Sequence, residues 1–196
     1  MSEPTARRNG LTATGRSPLA DRGDDLYETP TEAVTALERV EKLPEVIWEP
    51  ACGPGSIVGA LRAAGHRVYA TDLVDYGCPD SESRVDFLME RASSVHIDAI
   101  VTNPPFKLAG EFVAHALTLC PRVIMLLRLA FLESDRRRAI LDGGALARVH
   151  VFRNRLPRMH RDGWTGPRAS SSIAFAWFVW DLAHKGPTEL HRISWE

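Results

Sequence analysis

Short apolar runs alternate with stretches of helical periodicity from about residue 25 to the end of the chain. Such runs predict buried strands, and their alternation with helices predicts a parallel sheet covered on both faces. The predicted strands cover residues 46–48, 67–71, 85–87, 97–101, 123–127, 149–152 and 173–180. The last of them is apolar on both faces, so we expect it to lie inside the sheet. The pattern therefore predicts an α/β fold.

The segment before the first strand carries the signals of a helix start. Thr29 suits the N-cap, Pro30 suits the first turn, and Glu32 completes a capping box. Apolar residues then recur at helical spacing, at Val34, Leu37 and Val40. We therefore expect the first helix to begin directly after Thr29.

The same spacing indicates further helices between the strands. The helix after the first strand ends at Gly65, and its apolar side consists of Ile57, Ala60, Leu61 and Ala64. The helix after the fourth strand carries Phe112, Ala116 and Leu119. Residues 133–141 predict a short charged helix, and residues 76–84 predict a loop or short helix.

Composition favours one soluble domain. Hydrophobic residues make up 44% and charged residues 25% of the 196 positions, which is enough for a sizeable core. We assign a single domain to residues 25–196 and a disordered tail, rich in Gly, Ser, Thr, Pro and charge, to residues 1–24. No apolar run reaches the roughly 18 residues of a membrane span, and the N-terminus lacks a secretory signal. We expect no membrane association.

Cysteine usage and net charge narrow the class further. Cys52, Cys78 and Cys120 lie far apart and without CxxC pairing. This argues against a disulfide framework or a zinc site, so we predict no metal and a reducing, cytoplasmic location. The net charge of −1 gives no overall attraction to nucleic acid. Any nucleic-acid surface must therefore come from local clusters of basic residues.

A glycine-rich turn, residues 49–55, follows the first predicted strand and reads Glu-Pro-Ala-Cys-Gly-Pro-Gly. Such a turn places a nucleoside-type ligand at the carboxyl ends of the strands, because glycines let the backbone approach it closely. Asp72, 19 positions after Gly53, can accept hydrogen bonds from both ribose hydroxyls. A dinucleotide is disfavoured, because Val58 replaces the third glycine of GxGxxG and Pro54 interrupts the loop. By itself, the turn also fits a chance loop before a helix.

The fourth predicted strand runs directly into Asn103-Pro104-Pro105-Phe106, on the same sheet edge as the glycine-rich turn. The prolines fix the backbone and remove two N–H donors, so carbonyl oxygens are presented. The Asn103 amide oxygen and the Pro104 carbonyl can accept both hydrogens of an amino group on a heteroaromatic ring. This favours a tetrahedral nitrogen whose lone pair points at an electrophile, and Phe106 can stack on the ring. The alternative is a Pro-Pro turn that ends a strand, with Asn103 as a local cap.

Together these segments resemble the amino-methylating DNA methyltransferases that use S-adenosylmethionine (SAM), particularly the small phage and prophage N6-adenine enzymes. Residues 27–30, 49–55, 86–88 and 103–106, with Asp72 between them, match in the family's order and spacing. A later segment that looks like the phage-type proteins covers residues 172–180. The resemblance implies a Rossmann-like class I fold with a seven-stranded, mostly parallel sheet whose last strand is antiparallel. It also implies methyl transfer to adenine N6 in DNA.

The resemblance assigns roles around SAM. It puts Thr29, with the helix N-terminus behind it, on the methionine carboxylate and Glu49 near the amino group. It puts Asp72 on the ribose, Asp86 on the adenine amino group and Phe87 against the adenine ring. It adds Tyr27, Pro30, Ala51, Cys52, Gly53, Gly55 and Leu73 to the cofactor site. Taken singly, Thr29 also reads as a plain N-cap, Asp86 as a solvated loop acid and Phe87 as a core residue.

An Arg-rich stretch between the last two predicted strands is the candidate nucleic-acid surface. Its contact residues are Arg153, Arg155, Arg158, Arg161, Trp164 and Arg168. A loop of this composition can contact phosphates and bases, although a solvated basic loop is the alternative. Residues 136–138, all arginine, add a second basic cluster. No separate target-recognition domain is predicted, so a specificity partner or a homo-oligomer stays open.

Three functions compete at this point. The first is SAM-dependent methylation of adenine N6 in DNA. The second uses the same tetrapeptide, residues 103–106, on an RNA base or a protein glutamine amide. The third is a catalytically silent nucleic-acid-binding accessory protein, against which the intact tetrapeptide speaks.

Overall fold

A computed structural model describes residues 26–157 and 172–196 of the chain. The tail predicted at residues 1–24 lies outside these ranges. Within them, no helix combines the length and the apolar composition that crossing a membrane requires.

The described residues form a single mixed sheet. Its strands are β1 (Val46–Glu49), β2 (Arg67–Asp72), β3 (Ser81–Ser83), β4 (Ala99–Thr102), β5 (Arg122–Arg128), β6 (Leu146–Phe152), β7 (Phe175–Asp181) and β8 (Glu189–Ile193). In space they follow the order β3-β2-β1-β4-β5-β7-β6-β8. All neighbouring pairs are parallel except the two that β7 makes with β5 and β6. The predicted internal, antiparallel position of the apolar strand near the C-terminus is confirmed.

The predicted number of seven strands is wrong, because eight are present in the described part of the chain. The additional strand is β8, which pairs with β6 at one edge of the sheet. Four of its five residues are exposed. An edge strand faces solvent on most sides and therefore lacks the apolar alternation by which buried strands are recognised.

Helices cover both faces of the sheet. They are α1 (Thr31–Glu38), α2 (Ser56–Ala63), α3 (Ala109–Leu119) and the single turn α4 (Arg138–Leu141). The apolar sides of α1 and α2 pack on one face and that of α3 on the other, so the sheet lies between two separate apolar clusters. This is the predicted layer arrangement. Val40 is an exception to the predicted stripe of the first helix, because it lies beyond the end of α1 and is exposed.

The predicted capping box at the first helix is also wrong. The N-cap of α1 is Pro30, and no side chain caps this end. Because proline has no N–H, Glu32 has no backbone donor at the N-cap to accept from. The hydroxyl of Thr29 instead accepts a hydrogen bond from Nδ2 of Asn103, 3.0 Å away.

Two other local predictions need correction. The brief strand expected from Val85 does not form there, and Phe87–Met89 form a 3-10 turn instead. The strand of this region is β3, which lies inside the segment expected to be a loop. The charged helix expected at 133–141 is broken into 3-10 turns at Leu129–Glu133 and Asp135–Arg137, followed by α4. Both segments are short and polar, so tertiary contacts decide their conformation.

A buried ion cluster joins the segment after α1 to strands β5 and β6. The carboxylate of Glu41, 3% exposed, accepts hydrogen bonds from Arg122 at 2.8 Å, Arg148 at 3.0 Å and His150 at 2.7 Å. Burial alone would raise the pKa of Glu41, but the bonds and charges of His150 and Arg148 outweigh it and lower that pKa to about 2. The carboxylate is therefore ionised in the fold.

Replacing Glu41 by Ala is expected to lower the free energy of unfolding by about 3–5 kcal/mol, because it leaves the partly buried Arg122 and Arg148 without their buried partner. The wild-type contribution is present above the ordinary pKa of 4.5 and is lost as the pH falls towards 2. Urea unfolding across this range measures both effects. Glu45→Ala is the control, because its ion pair with Arg67 is exposed and worth little. Equal losses in the two variants would contradict the role of the cluster.

Candidate active site

One cavity of about 650 Å³ lies at the carboxyl ends of the parallel strands. Its lining brings together the two segments singled out in the sequence, the glycine-rich turn and the Asn-Pro-Pro-Phe corner. The predicted site residues that line it are Tyr27, Thr29, Ala51, Cys52, Gly53, Asp72, Leu73, Asp86, Phe87, Asn103 and Pro105. Two segments that are about 50 residues apart in sequence therefore share one pocket, as parallel strands with a common carboxyl edge require.

Five of the predicted residues do not line this cavity: Pro30, Glu49, Gly55, Pro104 and Phe106. Pro30 begins α1. Glu49 and Gly55 are the two ends of the glycine-rich turn, and Pro104 is buried. The ring of Phe106 belongs to an aromatic cluster with Tyr27 and Phe175.

The glycine-rich turn depends on two left-handed backbone positions. Gly53 has φ of 52° and Gly55 has φ of 99°, a region that favours glycine. A Cβ on Gly55 would lie 2.7 Å from Sγ of Cys78, and one on Gly53 would lie 2.9 Å from Cδ1 of Leu26. The close packing and the backbone angles explain why glycine is needed at both positions.

Gly55→Ala is expected to destabilise the protein by about 1–3 kcal/mol, because it adds both backbone strain and a clash. Gly59→Ala is the matched control: Gly59 lies in α2, and a Cβ there would meet nothing within 4 Å. That substitution should be neutral or stabilising by up to about 1 kcal/mol. Thermal unfolding distinguishes them, and similar melting temperatures for both variants would contradict the strained turn.

Asp72 anchors the turn to the end of β2. Its Oδ2 accepts a hydrogen bond from the Gly53 N–H at 2.8 Å, and its Oδ1 accepts one from the Val74 N–H at 3.0 Å. A carboxylate has about four acceptor positions, so two can still accept hydrogens from a ligand in the cavity. The structure thus gives Asp72 a positioning role that the sequence did not suggest, beside its place in the cavity wall.

Asn103 lines the same cavity. Its Nδ2 donates to the Thr29 hydroxyl at 3.0 Å and to the Tyr27 carbonyl at 3.2 Å. Because both bonds use the nitrogen, they fix the orientation of the planar carboxamide and make Oδ1 its accepting end. The two partners of Nδ2 are more than 70 residues away in sequence, so these bonds are tertiary contacts and not those of a local cap.

Asp86 and Phe87 combine structural roles with a place in the cavity wall. Oδ1 of Asp86 accepts from the Leu88 N–H at 3.1 Å and so caps the 3-10 turn. The Phe87 ring is 2% exposed and packs against Trp48, 5.2 Å between centroids, and Phe112, 4.9 Å. Phe87 thus has the core position and Asp86 the exposed loop position that the sequence allowed. Their roles toward a cofactor stay predictions.

Glu49 is a buried acid directly beneath the turn. Its side chain has no exposure, Oε1 accepts from the Ala51 N–H at 3.1 Å, and Oε2 has no hydrogen-bond partner among the described residues. Burial raises the pKa of Glu49 to about 8, and the nearby charge of Asp72 adds to the increase. The acid is therefore largely protonated at neutral pH.

A raised carboxyl pKa makes folding stability fall as the pH increases. The contribution of Glu49 is fully present below its ordinary pKa of 4.5 and is lost as the pH rises towards 8. Glu49→Gln, which stays neutral, is expected to be roughly 2–3 kcal/mol more stable than the wild type near pH 7. Urea unfolding between about pH 5 and pH 9 tests this, with the exposed Glu45→Gln as control. The same pH profile in wild type and Glu49→Gln would contradict it.

An aromatic cluster lies behind the corner, next to the cavity. The Phe106 ring stacks on Tyr27 at 5.4 Å and contacts Phe175 at 5.8 Å, both between centroids. The Arg128 guanidinium carbon lies over the same ring, 4.2 Å from its centroid. A target ring could reach this face of Phe106 only if Arg128 moved aside.

Several cavity residues were not predicted from the sequence. Glu28 accepts a hydrogen bond from the Ser56 hydroxyl at 2.9 Å, and this bond links the segment before α1 to the start of α2. Glu28 lies inside the matched segment 27–30, so that segment could have identified it as a cavity residue. Lys107 directly follows the tetrapeptide. The lining is completed by Leu26, Pro50, Pro54, Ile57, Val74, Tyr76, Val85, Leu88, Leu108 and Phe112.

Only part of the predicted nucleic-acid surface can be described. Arg153 and Arg155 are exposed and follow β6 at the carboxyl edge. Arg158, Arg161, Trp164 and Arg168 lie outside the described residues. In the second basic cluster, Arg137 donates to the Phe131 carbonyl at 2.9 Å and Arg138 pairs with Asp142 at 3.8 Å. Two of its three arginines therefore have partners within the fold.

No protein-family model and no curated protein matches the chain. Solved structures do share its fold. A Pyrococcus horikoshii protein assigned as an RNA methyltransferase aligns with a TM-score of 0.58 and 13% identity over 79% of this chain and 86% of that one. A Vibrio vulnificus protein assigned as the modification subunit of a type I restriction enzyme aligns with a TM-score of 0.56 and 17% identity, over 89% of this chain and 48% of that one. A predicted O-methyltransferase from Agrobacterium tumefaciens aligns with a TM-score of 0.51 and 12% identity, over 85% of this chain and 86% of that one.

The sheet therefore has the Rossmann-like fold of class I SAM-dependent methyltransferases, and the predicted fold class is confirmed. The chain spans about half the length of the restriction-enzyme subunit. At these identities, the comparisons establish the fold, and the chemistry has to be argued from the cavity.

Proposed function

We propose that the protein is a SAM-dependent methyltransferase that methylates an exocyclic amino nitrogen, adenine N6 in DNA. The observation that carries this proposal is the shared cavity, which is lined by Gly53 and Asp72 and also by Asn103 and Pro105 of the corner. A cofactor wall and an amine-binding wall within one pocket are what direct transfer between two bound molecules requires.

The residues of the first wall fit SAM. The volume of about 650 Å³ is within the range of small-molecule sites. Asp72 would accept hydrogen bonds from the ribose hydroxyls, and Asp86 and Phe87 would bind the adenine. Thr29, at the start of α1, would bind the carboxylate of the methionine part. SAM supplies the electrophilic methyl group when it is bound.

Glu49 supports the same fit from below the turn. It has a buried carboxyl oxygen without a hydrogen-bond partner in the described residues. The ammonium group of SAM is a suitable donor for it, either directly or through a water molecule. A carboxylic acid in this position would release its proton as it takes up a cation.

The second wall would prepare the amine. Thr29 and Tyr27 hold the Asn103 carboxamide by its nitrogen. Its Oδ1, with the Pro104 carbonyl, would accept the two hydrogens of the target amino group. These bonds would draw the nitrogen lone pair out of conjugation and direct it at the methyl group. Phe106 is proposed to stack on the target ring, which would replace Arg128 on the face of Phe106.

Nucleic acid is the substrate class that the comparisons favour. The two solved structures with the higher TM-scores of those given above are assigned to RNA methylation and to a restriction enzyme. The choice of DNA rests on the resemblance of residues 27–106 to the N6-adenine DNA enzymes. An RNA base is the second candidate, since the P. horikoshii protein has that assignment.

Incubation with methyl-labelled SAM and separate pools of DNA, RNA and protein tests the proposal. We expect label in DNA, recovered as N6-methyladenine after digestion to nucleosides. Label in RNA alone would replace DNA by the second candidate. Label in protein alone, or absence of SAM binding in calorimetry, would contradict the proposal.

A further inference from the structure

Arg128 is a cation next to the proposed catalytic corner. In the described part of the chain it has no partner of opposite charge. It is the last residue of β5, and β5 lies beside β4, the strand that leads into Asn103. Its backbone pairs with Phe175 on the other side. The guanidinium therefore lies at the carboxyl edge of the sheet, over the ring of Phe106.

The environment of Arg128 differs from that of the arginine at the opposite end of the same strand. Arg122 donates to Glu41 and to the Lys42 carbonyl, both at 2.8 Å. Within residues 26–157 and 172–196, Arg128 has no hydrogen-bond or ion-pair partner, although its Nε is buried. A guanidinium has five N–H donors, and in Arg128 the buried one without a partner is the Nε–H, which is unfavourable. The contact with Phe106 stabilises the cation but satisfies none of these donors.

We propose that the Arg128 guanidinium binds a phosphate of the substrate strand next to the target nucleotide. This inference rests on the proposed function. The planar fork of donors matches a phosphate in a bidentate manner, and the Phe106 ring restricts its orientation before binding. Arg128 is thus a positioning residue that holds the strand while Asn103 acts on the base.

Other cations on the same edge favour a phosphate of a nucleic acid over an isolated carboxylate. Lys107 lines the cavity beside the corner, and Arg153 and Arg155 are exposed after β6. From β4 to β6 the sheet order is β4-β5-β7-β6, three strand spacings or about 14 Å. Cations spread over this distance suit a strand with repeated phosphates.

The test is the salt dependence of nucleic-acid binding. Fluorescein-labelled strands of about 20 nucleotides, as single-stranded DNA, duplex DNA and RNA, are titrated at several NaCl concentrations and followed by anisotropy. In Arg128→Ala the affinity should fall about tenfold, and the slope of log K against log salt should become shallower by about 0.7 to 0.9. Arg128→Lys should recover the slope, because it keeps the charge, but only part of the affinity.

Two further variants separate charge from packing. Arg128→Met keeps a flexible apolar chain over Phe106 and should show the same shallower slope, even if Arg128→Ala folds poorly. Arg67→Ala removes an equal charge at the amino end of β2, on the opposite edge, and should leave the slope unchanged. A wild-type slope in Arg128→Met, or no binding of any strand to the wild type, would overturn the inference.

The salt dependence of strand binding can be measured and interpreted separately from the methylation assay. If the slope changes but no strand is methylated, Arg128 is a phosphate contact and the proposed function has failed. If DNA is methylated and the slope of Arg128→Met equals that of the wild type, the proposed function stands and the role of Arg128 has failed. An effect confined to the RNA strand would identify RNA as the source of the phosphate.

Discussion

Asn103→Ala is expected to lower the rate of methyl transfer by about 10²–10³-fold or more while the dissociation constant of SAM changes little. The amide oxygen is proposed to act only on the amine as it reacts, so its loss affects kcat rather than cofactor binding. Single-turnover transfer and calorimetric SAM binding, measured on the same preparation, separate the two effects.

The control for this variant has to account for its structural bonds. Asn103 also holds Thr29 and Tyr27, so melting temperatures are compared with and without SAM. Thr118→Ala removes an exposed hydroxyl from α3 outside the cavity lining and should retain full activity. Near-normal turnover in Asn103→Ala would show that the carboxamide is not catalytic.

Asp72→Ala is expected to have the second-largest effect, a loss of about 10- to 100-fold in SAM affinity with a much smaller change in kcat at saturating SAM. The substitution removes the proposed acceptor for the ribose hydroxyls. It also leaves the Gly53 and Val74 N–H groups without their partner, so the glycine-rich turn loses its anchor.

Asp75→Ala is the matched control for Asp72. Asp75 has the same kind of local bond, in which its Oδ1 accepts from the Gly77 N–H at 3.0 Å, but it is exposed and does not line the cavity. The SAM affinity of the Asp75→Ala variant should equal that of the wild type. Equal affinities for the Asp72 and Asp75 variants would remove Asp72 from the cofactor site.

The layered fold could be predicted because buried strands and amphipathic helices have periodic apolar patterns. β7 is the clearest case: its unbroken apolar sequence predicted an internal position, which the structure confirms. β8 could not be predicted in this way, since its exposure removes the alternation. Pairing along an edge depends on the neighbouring strand, which a local pattern does not contain.

The two walls of the candidate site were predictable because parallel strands present their carboxyl ends on one edge. The links between the walls were not. Thr29 has a good N-cap sequence, yet its hydroxyl binds Asn103, since the tertiary partner replaces the local one. The position of Arg128 over Phe106 likewise depends on how β5 continues past the end of β4, and no spacing in the chain encodes that contact.

A crystal structure with S-adenosylhomocysteine, the demethylated product of SAM, is the most direct test of the account. We expect the ribose on Asp72, and the sulfur facing Asn103 across open space large enough for an amino group. A ligand bound outside this cavity, or a sulfur shielded from Asn103 by the protein, would contradict it.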